Sequence, residues 1–95
     1  NDVTIDIPAG LIKFRGKTAE TSSRIALLTA LLARAMPSPI GQNFLVQRMW
    51  GGRRIPSDPQ DLLDQIARDG AAVVAQIGLE IKLTKGVGIA LRAAE

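Results

Sequence analysis

The sequence predicts an α+β domain, and three observations carry that reading. Apolar and polar residues alternate at both ends of the chain, the period of half-buried strands. Between the ends, three stretches repeat apolar residues at helical spacing. Capping residues, prolines and glycines fall between these stretches and separate them. The predicted order is strand, strand, helix, helix, helix, strand, strand, in one domain over 1–95.

Val3, Ile5 and Ile7 alternate with Thr4 and Asp6, which predicts a short first strand. Pro8-Ala9-Gly10 is a turn. Ile12 and Phe14 alternate with Lys13, Arg15 and Lys17, so a second strand carries one apolar and one basic face. The expected product is an N-terminal hairpin ending at Gly16, its basic face a solvated outer surface. Thr21-Ser22-Ser23 is a cluster of N-cap residues. Behind it Arg24 to Ala35 places Ile25, Leu28 and Leu32 on one stripe, with Leu27 and Leu31 beside it. Met36-Pro37-Ser38-Pro39 stops this first helix, because proline cannot continue the hydrogen-bond ladder.

A second helix is expected from about Gln42 to Trp50, with Leu45 and Met49 one turn apart and Gly51-Gly52 ending it. Arg53-Arg54-Ile55-Pro56-Ser57 reads as a loop. Ser57 or Asp58 then caps a third helix, and Pro59 suits its first turn. Leu63, Ile66, Gly70, Val74 and Ile77 share a stripe on that helix, flanked by Leu62 and Val73. Glycine inside a helix costs about 1 kcal/mol against alanine. Gly70 on the buried stripe therefore implies close packing against another helix, or a break. Leu79, Ile81 and Leu83 alternate with Glu80 and Lys82 in a strand, and Ile89 and Leu91 resume the alternation in its return. Gly86 and Gly88 bracket Val87, where a hairpin needs residues that tolerate positive φ.

Composition narrows the function. Aromatic residues make up 3% of the chain, so the core is aliphatic and a base-stacking platform for single strands is not expected. Cysteine and histidine are absent, which removes structural zinc sites and the common thiol and imidazole catalysts. The redox compartment is unreadable without cysteine. No apolar run reaches the roughly 18 residues of a membrane span, and there is no signal-peptide pattern. Asn1 stands where a complete chain would carry Met, as in a fragment or a processed protein. Twelve basic and nine acidic residues leave a formal charge of +3, which permits contact with nucleic acid or an acidic partner without requiring it.

Catalysis has little footing. Asp58, Asp61 and Asp64 recur along one helical side, and carboxylate clusters can hold magnesium. Capping, macrodipole and solvated roles suit acids at a helix start better. There is no phosphate-binding glycine loop, nucleophile elbow or metalloprotease motif. The glycines at 86 and 88 precede no helix, so they are not a dinucleotide fingerprint. No enzyme activity, metal or cofactor is expected.

Three helices followed by a hairpin make a winged helix-turn-helix, and the N-terminal hairpin narrows it further. Trp50-Gly51 resembles the "VWG" signature of OmpR/PhoB-type response-regulator effector domains. Ile81-Lys82-Leu83-Thr84-Lys85-Gly86-Val87-Gly88 resembles the "IxTVRGVGY" that opens their wing. Ile77-Gly78-Leu79-Glu80-Ile81 is closer still to the "LGIEI" of a variant common in phages and alphaproteobacteria. The similarity covers essentially the whole chain, and the two main motifs lie about 30 residues apart, separated by one helix. It implies binding of double-stranded DNA by a bacterial or phage transcriptional regulator in the cytoplasm, the third helix in the major groove and the wing on the adjacent minor groove or backbone. It also leaves room for a homodimer on repeated half-sites, and for contact with RNA polymerase or another regulator.

The chain departs from that pattern. Ile89 replaces the wing aromatic, and Arg24 stands where the family usually carries Glu. Where the family has a run like "RLRRKL" in its third helix, this chain has Gly70, Ala71, Ala72, Val73 and Val74. The face opposite the apolar stripe is read as Asp61, Asp64, Gln65, Arg68, Ala72 and Ala75, two carboxylates against one arginine. That face is a poor partner for a phosphate groove. Phosphate positioning is therefore assigned to Lys85, at the family's wing arginine, with Lys82, Arg53, Arg54 and Arg48. Gln65, Gln76 and Arg68 are the candidates for base edges. Trp50 is expected to anchor the core between helices. Two alternatives stay open: a winged-helix interaction module that meets a protein through its alanine-rich third helix, and a structural protein that binds DNA without sequence preference.

Overall fold

The structure is a computed structural model that describes residues 2–51 and 54–94; Asn1, Gly52, Arg53 and Glu95 fall outside the described residues. Its order is β1 (Val3–Asp6), β2 (Leu11–Phe14), β3 (Lys17–Glu20), α1 (Ser23–Ala35), α2 (Gln42–Trp50), α3 (Pro59–Ala75), β4 (Leu79–Thr84) and β5 (Gly88–Ala93). The first three strands form an antiparallel sheet in the order β1-β2-β3, and β4-β5 form a separate hairpin. The α+β layout of three helices closed by a hairpin is the expected one.

The N-terminal sheet extends the expectation by one strand. β2 ends at Phe14, which pairs with Lys17, so Lys17 opens β3 rather than continuing β2. Arg15 and Gly16 form the two-residue turn with φ of +51° and +82°, the double positive φ of a type I′ hairpin turn. β3 has one buried residue, Ala19, so its four residues show no apolar alternation. Pairing to β2, not side-chain pattern, makes it a strand.

α1 starts where the serine cluster placed it. Ser22 is the N-cap, and its hydroxyl oxygen accepts from the Ile25 N–H at 3.2 Å. Leu28 and Leu32 are fully buried. Thr29 is buried too, its hydroxyl donating to the Ile25 carbonyl at 2.8 Å, so it brings no unpaired polar atom into the core. α2 buries Leu45, Val46, Met49 and Trp50; Trp50 is a core residue, as its place at the helix end suggested.

α3 runs unbroken through Gly70 and buries Leu63, Ile66, Ala67, Gly70 and Val74. Asp58 holds the N-cap position, but its side chain makes no capping hydrogen bond; its carboxyl interacts with Asp61 instead. A Cβ at Gly70 would lie 3.3 Å from Ile25 Cγ2 on α1 and 3.3 Å from Ile81 Cδ1 on β4. The glycine is therefore a packing contact, not a kink. Gly70→Ala sets about 1 kcal/mol of helix propensity against that crowding, so its unfolding free energy should stay within about 1 kcal/mol of the parent. Gly70→Leu should lose about 3 kcal/mol or more. Urea denaturation of both variants checks this, and an uncrowded leucine would show the helix able to move away.

The hairpin is held at three points. Val87 N–H donates to Thr84 O at 3.0 Å across the loop, and Ala94 N–H to Gly78 O at 2.9 Å at the root. Ile40, in the linker between α1 and α2, forms an isolated antiparallel bridge with Ile89. Their N–H groups donate reciprocally to each other's carbonyls at 2.8 and 2.9 Å. Buried Leu79, Ile81, Ile89 and Leu91 put the inner face of the hairpin into the same core as the helices. No helix among the described residues is long and apolar enough to cross a membrane.

Candidate nucleic-acid interface

The bridge from Ile40 to Ile89 decides where the hairpin tip lies. Gly88 makes that approach possible: its φ is +144°, and a Cβ there would sit 2.1 Å from the Ile40 carbonyl oxygen, well inside van der Waals contact. With the strand seated so closely, Gly86, Val87 and Gly88 line one cleft with Gly41, Gln42 and Asn43 at the start of α2 and Gln60 at the start of α3. The cleft holds about 280 Å³. The wing tip and the leading ends of the helix pair thus converge on one side of the molecule.

Charge along the wing is graded. At the root, Arg92 is ion-paired with Glu80 on the opposite strand. Toward the tip, Lys82 is exposed on β4 and Lys85 is exposed in the loop. The root is neutralised and the net positive charge collects at the end beside the cleft. Val87, between the two glycines, is 56% exposed, so the tip also presents an apolar side chain.

The leading ends of α2 and α3 are tied by two side-chain hydrogen bonds. Gln42 Nε2 donates to Asp64 Oδ1 at 3.0 Å, and Gln60 Nε2 to Asn43 Oδ1 at 3.3 Å. Asp64, expected on the outward face, is half-buried and engaged by α2. Its place outside is taken by Asp69, which is exposed and accepts from Gln65 Nε2 at 3.0 Å. The four-residue spacing of Gln65 and Asp69 was a signal for that pair. Gln65, Arg68, Ala72 and Gln76 are exposed as expected. Gln65 and Gln76 lie three turns apart on one face, about 16 Å along the axis.

The outward face of α3 is consequently more acidic than its sequence reading. Asp58, Asp61 and Asp69 are exposed against Arg68. The Asp58 carboxyl is raised from its ordinary value, first by its hydrogen bond to Asp61 and then by repulsion from that group's charge. Among the described residues, no group of three or more acidic side chains could hold a metal ion.

The remaining candidates are dispersed. Arg54 is exposed ahead of α3, and Arg53 lies outside the described residues. Arg48 is exposed on α2 with its guanidinium 5.1 Å from the Phe44 ring centroid. It lines a groove against α1, not the cleft at the wing tip. Arg24 lies 6.0 Å from the Trp50 ring centroid, which ties the start of α1 to the end of α2.

The chain matches no protein-family model and no curated protein. It is similar in structure to the DNA-binding domain of CadC from E. coli, with a TM-score of 0.72 at 11% identity, over 96% of this chain and 86% of that one. The C-terminal domain of the nisin resistance regulator NsrR, a lantibiotic response regulator, gives a TM-score of 0.75 at 18% identity, over 96% and 91%. The DNA-binding domain of CpxR from E. coli gives 0.72 at 20% identity, over 99% and 93%. Likeness at these identities over nearly the whole of each chain establishes the fold. It is the winged helix-turn-helix fold that these three domains share.

Proposed function

We propose that this domain binds double-stranded DNA as part of a bacterial or phage transcriptional regulator, in the cytoplasm and without catalytic activity. The observation that carries the reading is the wing. Its unpaired lysines, Lys82 and Lys85, lie toward a tip that shares one cleft with the starts of α2 and α3. The DNA-binding domains of CadC and CpxR have the same fold, which supports the assignment. In this reading Lys82 and Lys85 sit on phosphates, with Arg54 and Arg53 contributing from the loop before α3.

Base reading is limited. α3 approaches the major groove with Arg68 and Gln76 free to meet base edges, while Gln65 is held by Asp69. The exposed carboxylates of Asp58, Asp61 and Asp69 repel the phosphates on either side. Most of the affinity then comes from backbone contacts, and pairing of two domains on repeated half-sites multiplies a weak single-site preference. The acidic face also favours a second reading, in which the domain binds duplexes with no sequence preference.

Fluorescence-anisotropy titration with promoter-derived and random duplexes, at about 50 and about 200 mM salt, separates the readings. Four phosphate contacts give a log–log salt slope of about −3.6. A preference for one duplex that survives the higher salt supports base readout. Equal affinities that collapse with salt support sequence-independent binding. No binding at low salt sinks both and leaves α3 as a surface for a protein.

A further inference from the structure

The chain has three aromatic residues, and the fold buries two of them. Phe14 and Trp50 are 3% and 6% exposed, whereas Phe44 is 49% exposed. The phase of α2 explains the difference. Leu45, Val46, Met49 and Trp50 face the core, which turns Phe44 and Arg48, one turn apart, to the opposite side. There they form one wall of a groove of about 460 Å³. Leu31, Arg34 and Ala35 of α1 and Pro39 to Gly41 of the linker complete it.

The groove has an apolar floor and a cationic rim. Leu31, Ala35, Pro39, Ile40 and the Phe44 ring are uncharged, and no acidic residue lines it. Arg34 and Arg48 are exposed, and the ion pair formed among the described residues, Arg92 with Glu80, involves neither. Arg48 stacks over Phe44, an arrangement that leaves the edge of a guanidinium free to donate to a carboxylate. Two like charges flanking a low-dielectric groove concentrate positive potential there. The groove uses none of Lys82, Lys85, Arg54, Arg68 or Gln76.

We propose that this groove docks an acidic, apolar-anchored peptide segment of another protein. One large apolar side chain of the segment packs against Phe44, Leu31 and Ile40, and flanking carboxylates pair with Arg34 and Arg48. Charge complementarity selects this occupant. A DNA backbone would satisfy the arginines but has no apolar side chain to cover the floor. The groove adjoins the wing-tip cleft at Gly41, but it uses none of the cations assigned to phosphates in the proposed DNA binding.

The test uses the whole 95-residue chain, isotopically labelled, and a synthetic amphipathic peptide with Phe and Leu on one face and Glu on the other. Two control peptides replace Glu by Lys, or Phe and Leu by Ala. Amide shifts confined to 31–48, with affinity at least about tenfold weaker for both controls, support the proposal. So does a similar loss in Arg34→Glu/Arg48→Glu and in Phe44→Ala. All three side chains are exposed, and dispersed spectra of the variants verify folding. Equal binding of either control, shifts scattered over the surface, or no shifts at millimolar peptide overturn it. Shifts of the Leu31, Arg34 and Arg48 amides on adding duplex alone, beyond those at Gly41 where the groove meets the wing-tip cleft, overturn it in favour of DNA. Dilution-dependent shifts of the same amides without peptide overturn it in favour of a second copy of this chain.

Discussion

Gly88→Ala destabilises the domain by about 3 kcal/mol and weakens duplex binding with it. The new Cβ would lie 2.1 Å from the Ile40 carbonyl oxygen, 2.6 Å from its carbon and 3.1 Å from the Gly41 nitrogen. All three are backbone atoms, so no side-chain rotation relieves the clash. The φ of +144° adds strain that an L-residue meets wherever it is placed. Relief requires separating β5 from the α1–α2 linker. That breaks both hydrogen bonds of the Ile40–Ile89 bridge, each worth about 1 kcal/mol net. The wing tip then loses its position beside α2 and α3. Gly86→Ala is the matched control. Its φ is +79° but a Cβ there meets nothing within 4 Å, so it should cost only the left-handed penalty of about 1 kcal/mol. Guanidinium unfolding of the two variants gives the comparison. A Gly88 variant as stable as the Gly86 one would mean that the bridge does not hold the wing.

Lys82→Ala/Lys85→Ala lowers affinity for duplex DNA about tenfold or more at low salt, and makes the salt slope shallower by about 1.8, the value for two lost phosphate contacts. Stability should stay within about 0.5 kcal/mol, because both side chains are exposed and the ion pair of the hairpin lies at its root. Unchanged stability separates loss of contact from loss of fold. Reversing both charges to glutamate should deepen the effect by adding repulsion to the loss. A double variant with the parent's slope would remove the wing from the interface, and with it the observation on which the DNA assignment stands. Arg34→Ala, on α1 and outside the wing-tip cleft, provides the control for general loss of positive charge.

Much of the fold was legible in one dimension. The serine cluster and the prolines bounded α1, because a cap and a ladder break act within a few residues of chain. The stripe Leu63, Ile66, Gly70, Val74 and Ile77 is buried throughout, since helical period alone sets which residues share a side. The wing followed from alternation and two glycines. β3 was not legible, because Lys17–Glu20 carries a single apolar residue and owes its strand conformation to β2. The geometry of the candidate site was legible in part. The wing lysines were singled out by position in a motif, and both are exposed. Arg48 was grouped with them, although the phase of α2 turns it toward α1. The acidity of α3 was underestimated, since Asp69 was overlooked and Asp64 was counted as outward.

The sequence by itself determined the order of the three helices and the wing hairpin, the helix starts, the buried stripes and the glycines of the wing. All of these depend on residues within a turn or two of one another. Only the tertiary structure decided that Gln42 draws Asp64 inward, that Arg92 is neutralised at the wing root, and that Ile40 seats the hairpin beside the helix pair. The partners in those contacts are 22, 12 and 49 residues apart, and no local period encodes which of them meet. Their meeting is settled by the packing of elements around one core, and that packing sets which charges remain free to face a partner.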